Sequence, residues 1–233
     1  MVKLSKEESR KIINLRKENL EKTISLEKPT LATRVSRVAV VMDYSGSMRS
    51  MYKDGTVQAV LERLLPIAMK FDDNGEMEFW LFDDGFRRMP NITLDNFYGY
   101  VDREILSHGY HMGQTNYSPV MEDIIHKYTV EDPAPLPDYI LFITDGGNAD
   151  KSAATKTITK ASRFPIFWQF VGIGKSTFEF LEKLDDLEGR YVDNANFFAI
   201  NDLMNLTDKE LYGKLLDEYP SWLEYKEVKA MLK

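Results

Sequence analysis

The segment that follows the apolar run 38–42 contains three side chains with hard oxygen donors, Asp43, Ser45 and Ser47. A buried strand that ends in this pattern places one carboxylate and two hydroxyls on a single tight loop. Oxygen donors of this kind suit Mg²⁺, Mn²⁺ or Ca²⁺ rather than zinc or copper. The segment therefore predicts a site that holds a divalent cation.

Two further loops carry oxygen-bearing side chains in similar surroundings. One contains Gly113 and Thr115, where the glycine frees the backbone just before a hydroxyl group. The other contains Asp145, which follows the apolar run 141–143. Each pattern alone is ordinary turn chemistry. Their order and spacing along the chain are more specific, because Asp43 and Asp145 both follow predicted strands.

Alternating apolar runs and amphipathic segments predict the elements that position these loops. Strands are predicted at 35–42, 77–82, 139–144, 166–171 and 197–200, with a short strand after the turn signal Asp84-Gly85. Helices are predicted at 56–71, 94–106, from Pro119, 151–162, 178–184 and 203–216. This order indicates a doubly wound, mostly parallel six-stranded α/β sheet flanked by helices. Ligands of such sheets bind beyond the carboxyl ends of the strands.

The two ends of the chain are predicted to be appendages of one main domain. Residues 1–32 form an N-terminal arm, in which Ser5 and Glu8 make a capping-box pattern ahead of a helix, with short edge strands as the alternative. Residues 33–215 form the domain, and residues 216–233 form a helix packed on it. The side chains expected to dock this terminal helix are Trp222, Tyr225 and Val228.

Composition excludes several classes of function. The net charge of −7 over 233 residues disfavours a nucleic-acid partner. The charge is uneven, because residues 1–30 have a net charge of about +3 and the rest of the chain about −10. The absence of cysteine excludes disulfides, thiolate metal sites and cysteine nucleophiles. No apolar run approaches the ~20 residues that cross a bilayer, and the charged N-terminus is unlike a signal peptide. We therefore expect a cytoplasmic protein without a membrane partner.

The three loops together resemble the von Willebrand factor A (vWA) family and its metal-ion-dependent adhesion site (MIDAS). The resemblance covers roughly residues 33–215 and implies a Rossmann-like vWA fold. Within the family, segments 42–48 and 113–117 look most like the bacterial branch linked to tellurium-resistance operons. Segment 86–90 is similar to the same branch. The implied setting is a bacterial or phage stress-response system.

The resemblance also implies a role for each site residue. Ser45, Ser47 and Thr115 would offer hydroxyl oxygens to the cation, and Asp43 and Asp145 would approach it directly or through water. Mg²⁺ is the expected cation, with Mn²⁺ or Ca²⁺ as alternatives. Neutral hydroxyls leave much of the metal charge uncompensated, so an Asp or Glu of a protein partner can replace a water and complete the shell. The implied function is protein interaction rather than catalysis.

Other interpretations of the same residues stay open at this stage. Asp43 or Ser45 would also suit the cap of the following helix, and Thr115 would suit a simple turn. An aspartate at a strand end beside Mg²⁺ also describes phosphohydrolases, but these use a second carboxylate where this chain has Ser45. A third alternative is a scaffold with a purely structural metal site.

Several other motifs do not carry function. The segment 171–177 contains Gly-Lys-Ser, but a phosphate-binding P-loop needs glycine at Gln169 and a dinucleotide fingerprint needs one at Thr177. It is interpreted as a strand-to-helix turn. The residues assigned to loops or helix surfaces rather than to the site are His108, His111, His126, Asp83, Asp84 and Asp150.

Overall fold

The computed structural model describes residues 4–200 and 205–232, and its centre is a six-stranded sheet of order β3-β2-β1-β4-β5-β6. All neighbouring strands are parallel except the β2–β3 pair, which is antiparallel. The predicted α/β fold is therefore confirmed. The strands are β1 (Arg37–Asp43), β2 (Met77–Phe82), β3 (Phe86–Ile92), β4 (Asp138–Thr144), β5 (Ile166–Ile173) and β6 (Ala195–Ile200).

Helices cover both faces of the sheet. They are α1 (Lys6–Glu27), α2 (Arg49–Lys53), α3 (Thr56–Phe71), α4 (Ser118–His126), α5 (Lys151–Ala161), α6 (Glu179–Asp185), α7 (Asp208–Leu215), α8 (Tyr219–Glu224) and α9 (Lys226–Met231). Short 3-10 turns occur at Pro29–Leu31, Gly46–Met48 and Leu106–His108, and π-helical turns at Val101–Ile105 and Lys127–Glu131. None of the helices in the described ranges is long and apolar enough to cross a bilayer.

Strands β1 and β4 lie side by side at the centre of the sheet. Every residue of both strands is buried, and Met42 pairs with Ile143 near their carboxyl ends. The chain moves from β1 outward through β2 and β3, then returns to the other side of β1 with β4. The switch in strand order therefore falls between β1 and β4, where sheets of this type bind ligands.

Helix α1 is an integral part of the core. Ser5 Oγ accepts the Glu8 N–H, and the Glu8 carboxylate accepts the Ser5 N–H, so the predicted capping box is present. The buried face of α1 includes Ile13 and Leu20, and the helix contacts α3 and α7. The alternative of short edge strands in this segment is wrong.

Several predicted elements differ from the structure. Turns and short helical segments replace the single helix expected at 94–106. Strand β1 begins at Arg37, because Val35 is exposed. The helix expected at 203–216 begins at Asp208, and the residues at the start of that range lie outside the described residues.

The C-terminal segment forms two short helices instead of one. Trp222 and Val228 are buried in the core as expected, and Trp222 stacks on Tyr219. Tyr225 is 43% exposed, so its predicted docking role is wrong. The reason is local: Tyr225 has an extended backbone (φ −60°, ψ 136°) that ends α8 and turns the side chain outward.

Candidate metal centre

Asp43 is the last residue of β1 and is 0% exposed. Its Oδ1 accepts the backbone N–H of Ser45 at 2.7 Å, and its Oδ2 accepts the hydroxyl of Thr144 at 2.7 Å. Burial raises the pKa of Asp43 to about 6, against the effect of these hydrogen bonds, and the negative charge of Asp145 adds to the rise. Each carboxylate oxygen keeps a free lone-pair site, so the fixed group can still accept from water or bind a cation.

The hydroxyls of Ser45 and Ser47 lie together beside this carboxylate. Their Oγ atoms are 3.0 Å apart, with Ser45 buried and Ser47 exposed. Ser45 precedes the short turn Gly46–Met48, but its side chain makes no capping hydrogen bond. The helix-cap interpretation of Ser45 is therefore wrong. Its hydroxyl points instead to that of Ser47, at the solvent-facing end of the loop.

Tyr52 supports the loop from behind. Its hydroxyl donates to the backbone carbonyl of Asp43 at 2.8 Å, and its ring packs edge-on against Tyr44 with centroids 4.9 Å apart. Both tyrosines are buried. The chain between Asp43 and Ser45 is consequently held by packing as well as by hydrogen bonds.

Thr115 lies on a separate loop that backbone hydrogen bonds tie to its neighbours. The Gly46 N–H donates to the Gly113 carbonyl at 3.3 Å, and the Ala149 N–H donates to the Thr115 carbonyl at 2.8 Å. A Cβ atom added at Gly147 would lie 3.5 Å from Thr115 Oγ1. Thr115 is thus buried against the loop that follows β4, the loop that carries Asp145.

Asp145 follows the last residue of β4 and is largely buried. It directly follows Thr144, whose hydroxyl donates to Asp43 Oδ2, so Asp43 and Asp145 lie at the neighbouring ends of β1 and β4. Gly146, the next residue, has φ 101°, a conformation that glycine adopts without strain, and a Cβ there would lie 2.9 Å from Phe178 Cδ1. The chain therefore turns sharply directly after Asp145.

The donor set contains only oxygen atoms, from three hydroxyls and two carboxylates. Residues 4–200 and 205–232 contain no cluster of three or more His, Asp or Glu side chains arranged to hold a metal. The set has only two carboxylates, so its hydroxyls must take part in coordinating any cation that it binds. This composition suits a hard divalent cation and not a soft one.

Sequence reasoning missed two side chains that shape the site, Thr144 and Asp150. Thr144 joins the loops, because its Oγ1 donates to Asp43 and accepts the N–H of Gly146 and the hydroxyl of Tyr117. The signal available was its position, one residue before Asp145 at the end of β4. Asp150 was assigned to a loop, where it does lie, but its carboxylate also accepts the backbone N–H groups of Tyr117 and Ser118.

The three histidines and Lys175 lie on the surface, as predicted, whereas Asp83, assigned to a hairpin, is buried. His108 and His111 are exposed, and the ring of His108 stacks on Tyr110 with centroids 5.3 Å apart. His126 ends α4, with its Nε2 3.5 Å from the carboxylate of Glu131. Lys175 is exposed in the turn between β5 and α6. None of these side chains makes a described contact with the candidate metal ligands.

Gly172, in the segment that resembles a P-loop, leaves room for an aromatic ring. A Cβ atom at this position would lie 2.6 Å from Phe178 Cε1. Gly172→Ala is expected to lower the free energy of unfolding in urea by about 1–3 kcal/mol through overpacking. The matched control is Gly213→Ala in α7, where a Cβ meets nothing within 4 Å and helix propensity improves by up to about 1 kcal/mol. Equal effects of the two substitutions would contradict this explanation.

The fold and the loop order match a known family. A profile of the vWA-TerF-like family, described as the vWA domain found in the TerF C terminus, matches residues 35–232. The chain belongs to this family. Among curated proteins, this vWA chain is 46% identical over 200 residues to YcbR of Bacillus subtilis (strain 168), an alignment that covers 85% of this chain and 82% of YcbR.

Solved vWA-like structures share the fold at low identity. Proximal thread matrix protein 1 from the mussel byssus, solved with a zinc-occupied MIDAS motif, has a TM-score of 0.54 at 15% identity and covers 85% of this chain. The vWA chain spans about half (47%) of the mussel chain. Manganese-loaded TRAP protein of Plasmodium vivax has a TM-score of 0.53 at 13% identity, covering 82% of this chain and 72% of its own.

Proposed function

We propose that this vWA chain is a metal-dependent protein-interaction module. Ser45, Ser47 and Thr115 bind a divalent cation through their hydroxyls, and Asp43 and Asp145 approach it directly or through water. The observation that carries the proposal is the pair of serine hydroxyls, 3.0 Å apart, beside a fully buried carboxylate. Mg²⁺ is the expected cation, with Mn²⁺ and Ca²⁺ as alternatives.

The chemistry of the donors favours a partner that supplies a carboxylate. Three of the five donors are neutral, so the protein compensates the charge of the cation only in part when a carboxylate approaches it through water rather than directly. The cation retains water in its remaining positions, as Mg²⁺ commonly does. An Asp or Glu of a protein partner can replace one of these waters, and the exposed side chain of Ser47 marks the side from which it approaches.

Two of the structurally similar proteins carry divalent cations, zinc in the mussel protein and manganese in TRAP. Their low identity limits the comparison to the fold. The proposal for this chain therefore rests on its own oxygen donors, which favour Mg²⁺ or Mn²⁺ over zinc.

The phosphohydrolase alternative is disfavoured by the surroundings of Asp43. An aspartyl nucleophile must present a free oxygen to its substrate. Asp43 has no exposed surface, so a substrate phosphoryl group cannot contact either of its oxygens from solvent. The position two residues later, where a general acid would stand, is Ser45.

The proposed setting is a bacterial or phage stress-response system of the tellurium-resistance type, in the cytoplasm. The name of the matched family, which refers to TerF, supports this setting. The net charge of −7 supports a protein partner over a nucleic acid.

Water-proton relaxation with bound Mn²⁺ tests the proposal without a known partner. A bound Mn²⁺ that keeps exchangeable water should enhance the relaxation rate. Adding N-acetyl-aspartate amide, a single carboxylate probe, should lower that enhancement because the carboxylate replaces water. N-acetyl-asparagine amide, which has the same shape without the charge, is the matched control and should have no effect.

Each outcome of this experiment discriminates between functions. Failure of Mn²⁺ to bind would overturn the proposal, as would equal responses to the two probes. Binding without enhanced relaxation would indicate a closed, structural metal site. Mg²⁺-dependent turnover of a generic phosphatase substrate that Asp43→Asn abolishes would replace the proposal with the hydrolase alternative.

A further inference from the structure

Asp150 bridges the starts of two helices. Its Oδ1 accepts the backbone N–H of Tyr117 at 2.9 Å, and its Oδ2 accepts the N–H of Ser118 at 2.8 Å. Asp150 itself stands at the N-cap position of α5, and its carbonyl accepts the N–H of Ala154. One side chain thus joins the amino-terminal ends of α4 and α5.

The bridge supplies α4 with a cap that its own sequence lacks. The first N–H groups of a helix have no partner within the helix. The side chain of Tyr117, at the N-cap position of α4, does not cap the helix, and its hydroxyl donates to Thr144 Oγ1 instead. Asp150 accepts two of these N–H groups from another loop, and its negative charge is favourable at a helix N-terminus.

A further hydrogen bond, between backbone atoms, joins the same two segments. The residue before Asp150, Ala149, donates its N–H to the carbonyl of Thr115 at 2.8 Å. The segments 115–118 and 149–150 are consequently joined at three successive points. Thr115 belongs to one segment and Asp145 to the loop that leads into the other, so these bonds set the position of one candidate ligand relative to the other.

Asn148 holds the bridging carboxylate in turn. Its Nδ2 donates to Asp150 Oδ1 at 2.9 Å. The Oδ1 of Asn148 is buried and has no hydrogen-bond partner in the described part of the chain. An unpaired buried acceptor costs stability, and the other amide orientation would lose the bond to Asp150. In the observed orientation, the Asn148 amide therefore keeps its hydrogen bond to the Asp150 carboxylate and leaves its own oxygen unpaired.

We infer that Asp150 is a positioning residue for the cation site, which it serves by aligning Thr115 with Asp145. The expected effect on cation affinity rests on the proposed function, whereas the alignment of the two loops rests on the hydrogen bonds. Asp150 does not bind the cation. Like other groups that orient metal ligands from outside the coordination shell, it should affect affinity strongly.

The test compares Asp150→Asn with Thr207→Ala. Asparagine has one acceptor oxygen, so it can hold only one of the two N–H groups and turns its amide donors toward the other. Thr207 caps α7, accepting the Glu210 N–H at 3.2 Å, and α7 packs on the face of the sheet opposite α4. Both variants weaken a helix cap, but only Asp150→Asn weakens the link between the two loops.

Three measurements separate positioning from stability: urea unfolding, calorimetric Mn²⁺ affinity and amide hydrogen exchange of Ala149. We expect both variants to be moderately destabilised. Asp150→Asn should also weaken Mn²⁺ binding by about 10–100-fold and speed exchange at Ala149. Thr207→Ala should change neither property.

Two results would overturn the inference. The first is an Asp150→Asn variant that binds Mn²⁺ as tightly as the wild type while losing as much stability as Thr207→Ala. The second is unchanged exchange at Ala149. If the wild type binds no Mn²⁺, the proposed function fails, and the exchange rate at Ala149 alone decides whether Asp150 positions Thr115.

Discussion

The double substitution Ser45→Ala/Ser47→Ala is expected to abolish binding of Mg²⁺ and Mn²⁺ while leaving the fold intact. It removes two of the three neutral oxygens proposed to contact the cation, and both side chains lie at the edge of the core. The loss of affinity should exceed the ~10–100-fold effect of changing groups outside the coordination shell. Calorimetry measures the affinity, and circular dichroism checks the fold.

Ser50→Ala is the matched control for this experiment. Ser50 is an exposed serine in α2, three residues after Ser47, and lies outside the proposed donor set. Its substitution should leave cation affinity unchanged. Retained binding in the double variant, or equal losses in both proteins, would contradict the proposed roles of the two serines.

The second large effect is expected at the opposite end of the sheet. Arg37 Nε lies 2.6 Å from Asp138 Oδ1, with side-chain exposures of 8% and 1%. The guanidinium also lies over the ring of Tyr128, 4.4 Å from its centroid. Arg37→Ala leaves the Asp138 carboxylate buried without its partner and is expected to lower the free energy of unfolding by about 3–5 kcal/mol where Asp138 is ionised.

The size of this loss should depend on pH. Burial raises the pKa of Asp138 to about 7, although Arg37 acts in the opposite direction. The unfolded value is about 3.9, so the folded state keeps a proton that the unfolded state releases, and this group's contribution to stability falls as pH rises from about 4 to about 7. Removing Arg37 raises the pKa further, so the loss should be small at pH 5, where Asp138 is neutral in both proteins, and should grow as pH rises through about 7.

Urea unfolding at pH 5 and pH 8 measures both effects, with Arg34→Ala as the control. Arg34 pairs with Glu224 at 3.0 Å, but both side chains are more than 40% exposed. Exposed pairs of this kind contribute about 0–1 kcal/mol. An Arg37→Ala variant no less stable than Arg34→Ala, or one whose loss is greater at pH 5, would contradict the explanation.

Elements with a strong apolar period were predictable from the sequence. Helix α3 and strand β2 have the predicted boundaries, 56–71 and 77–82, because each presents a continuous apolar stripe or run bounded by polar turns. Two loops of the candidate site, those of Asp43 and Asp145, follow from the fold, since the carboxyl ends of parallel strands meet at one edge of the sheet; the Thr115 loop was predicted from its motif alone.

Elements that depend on tertiary contacts were not predictable in this way. The segment 94–106 has helical spacing, but side-chain bonds replace part of a helix there: the Thr93 N–H donates to Asn96 Oδ1, and Gln58 of α3 accepts the N–H of Val101. The role of Asp150 is likewise invisible in the sequence. Its two acceptors meet N–H groups more than 30 residues earlier in the chain.

The most direct test of the account is a crystal structure of the wild-type protein grown with Mn²⁺, with anomalous diffraction measured at an energy above the manganese absorption edge. We expect one strong anomalous peak within bonding distance of the hydroxyls of Ser45, Ser47 and Thr115, with Asp43 and Asp145 in contact or one water away. The absence of a peak at these residues, with manganese bound elsewhere or not at all, would contradict it.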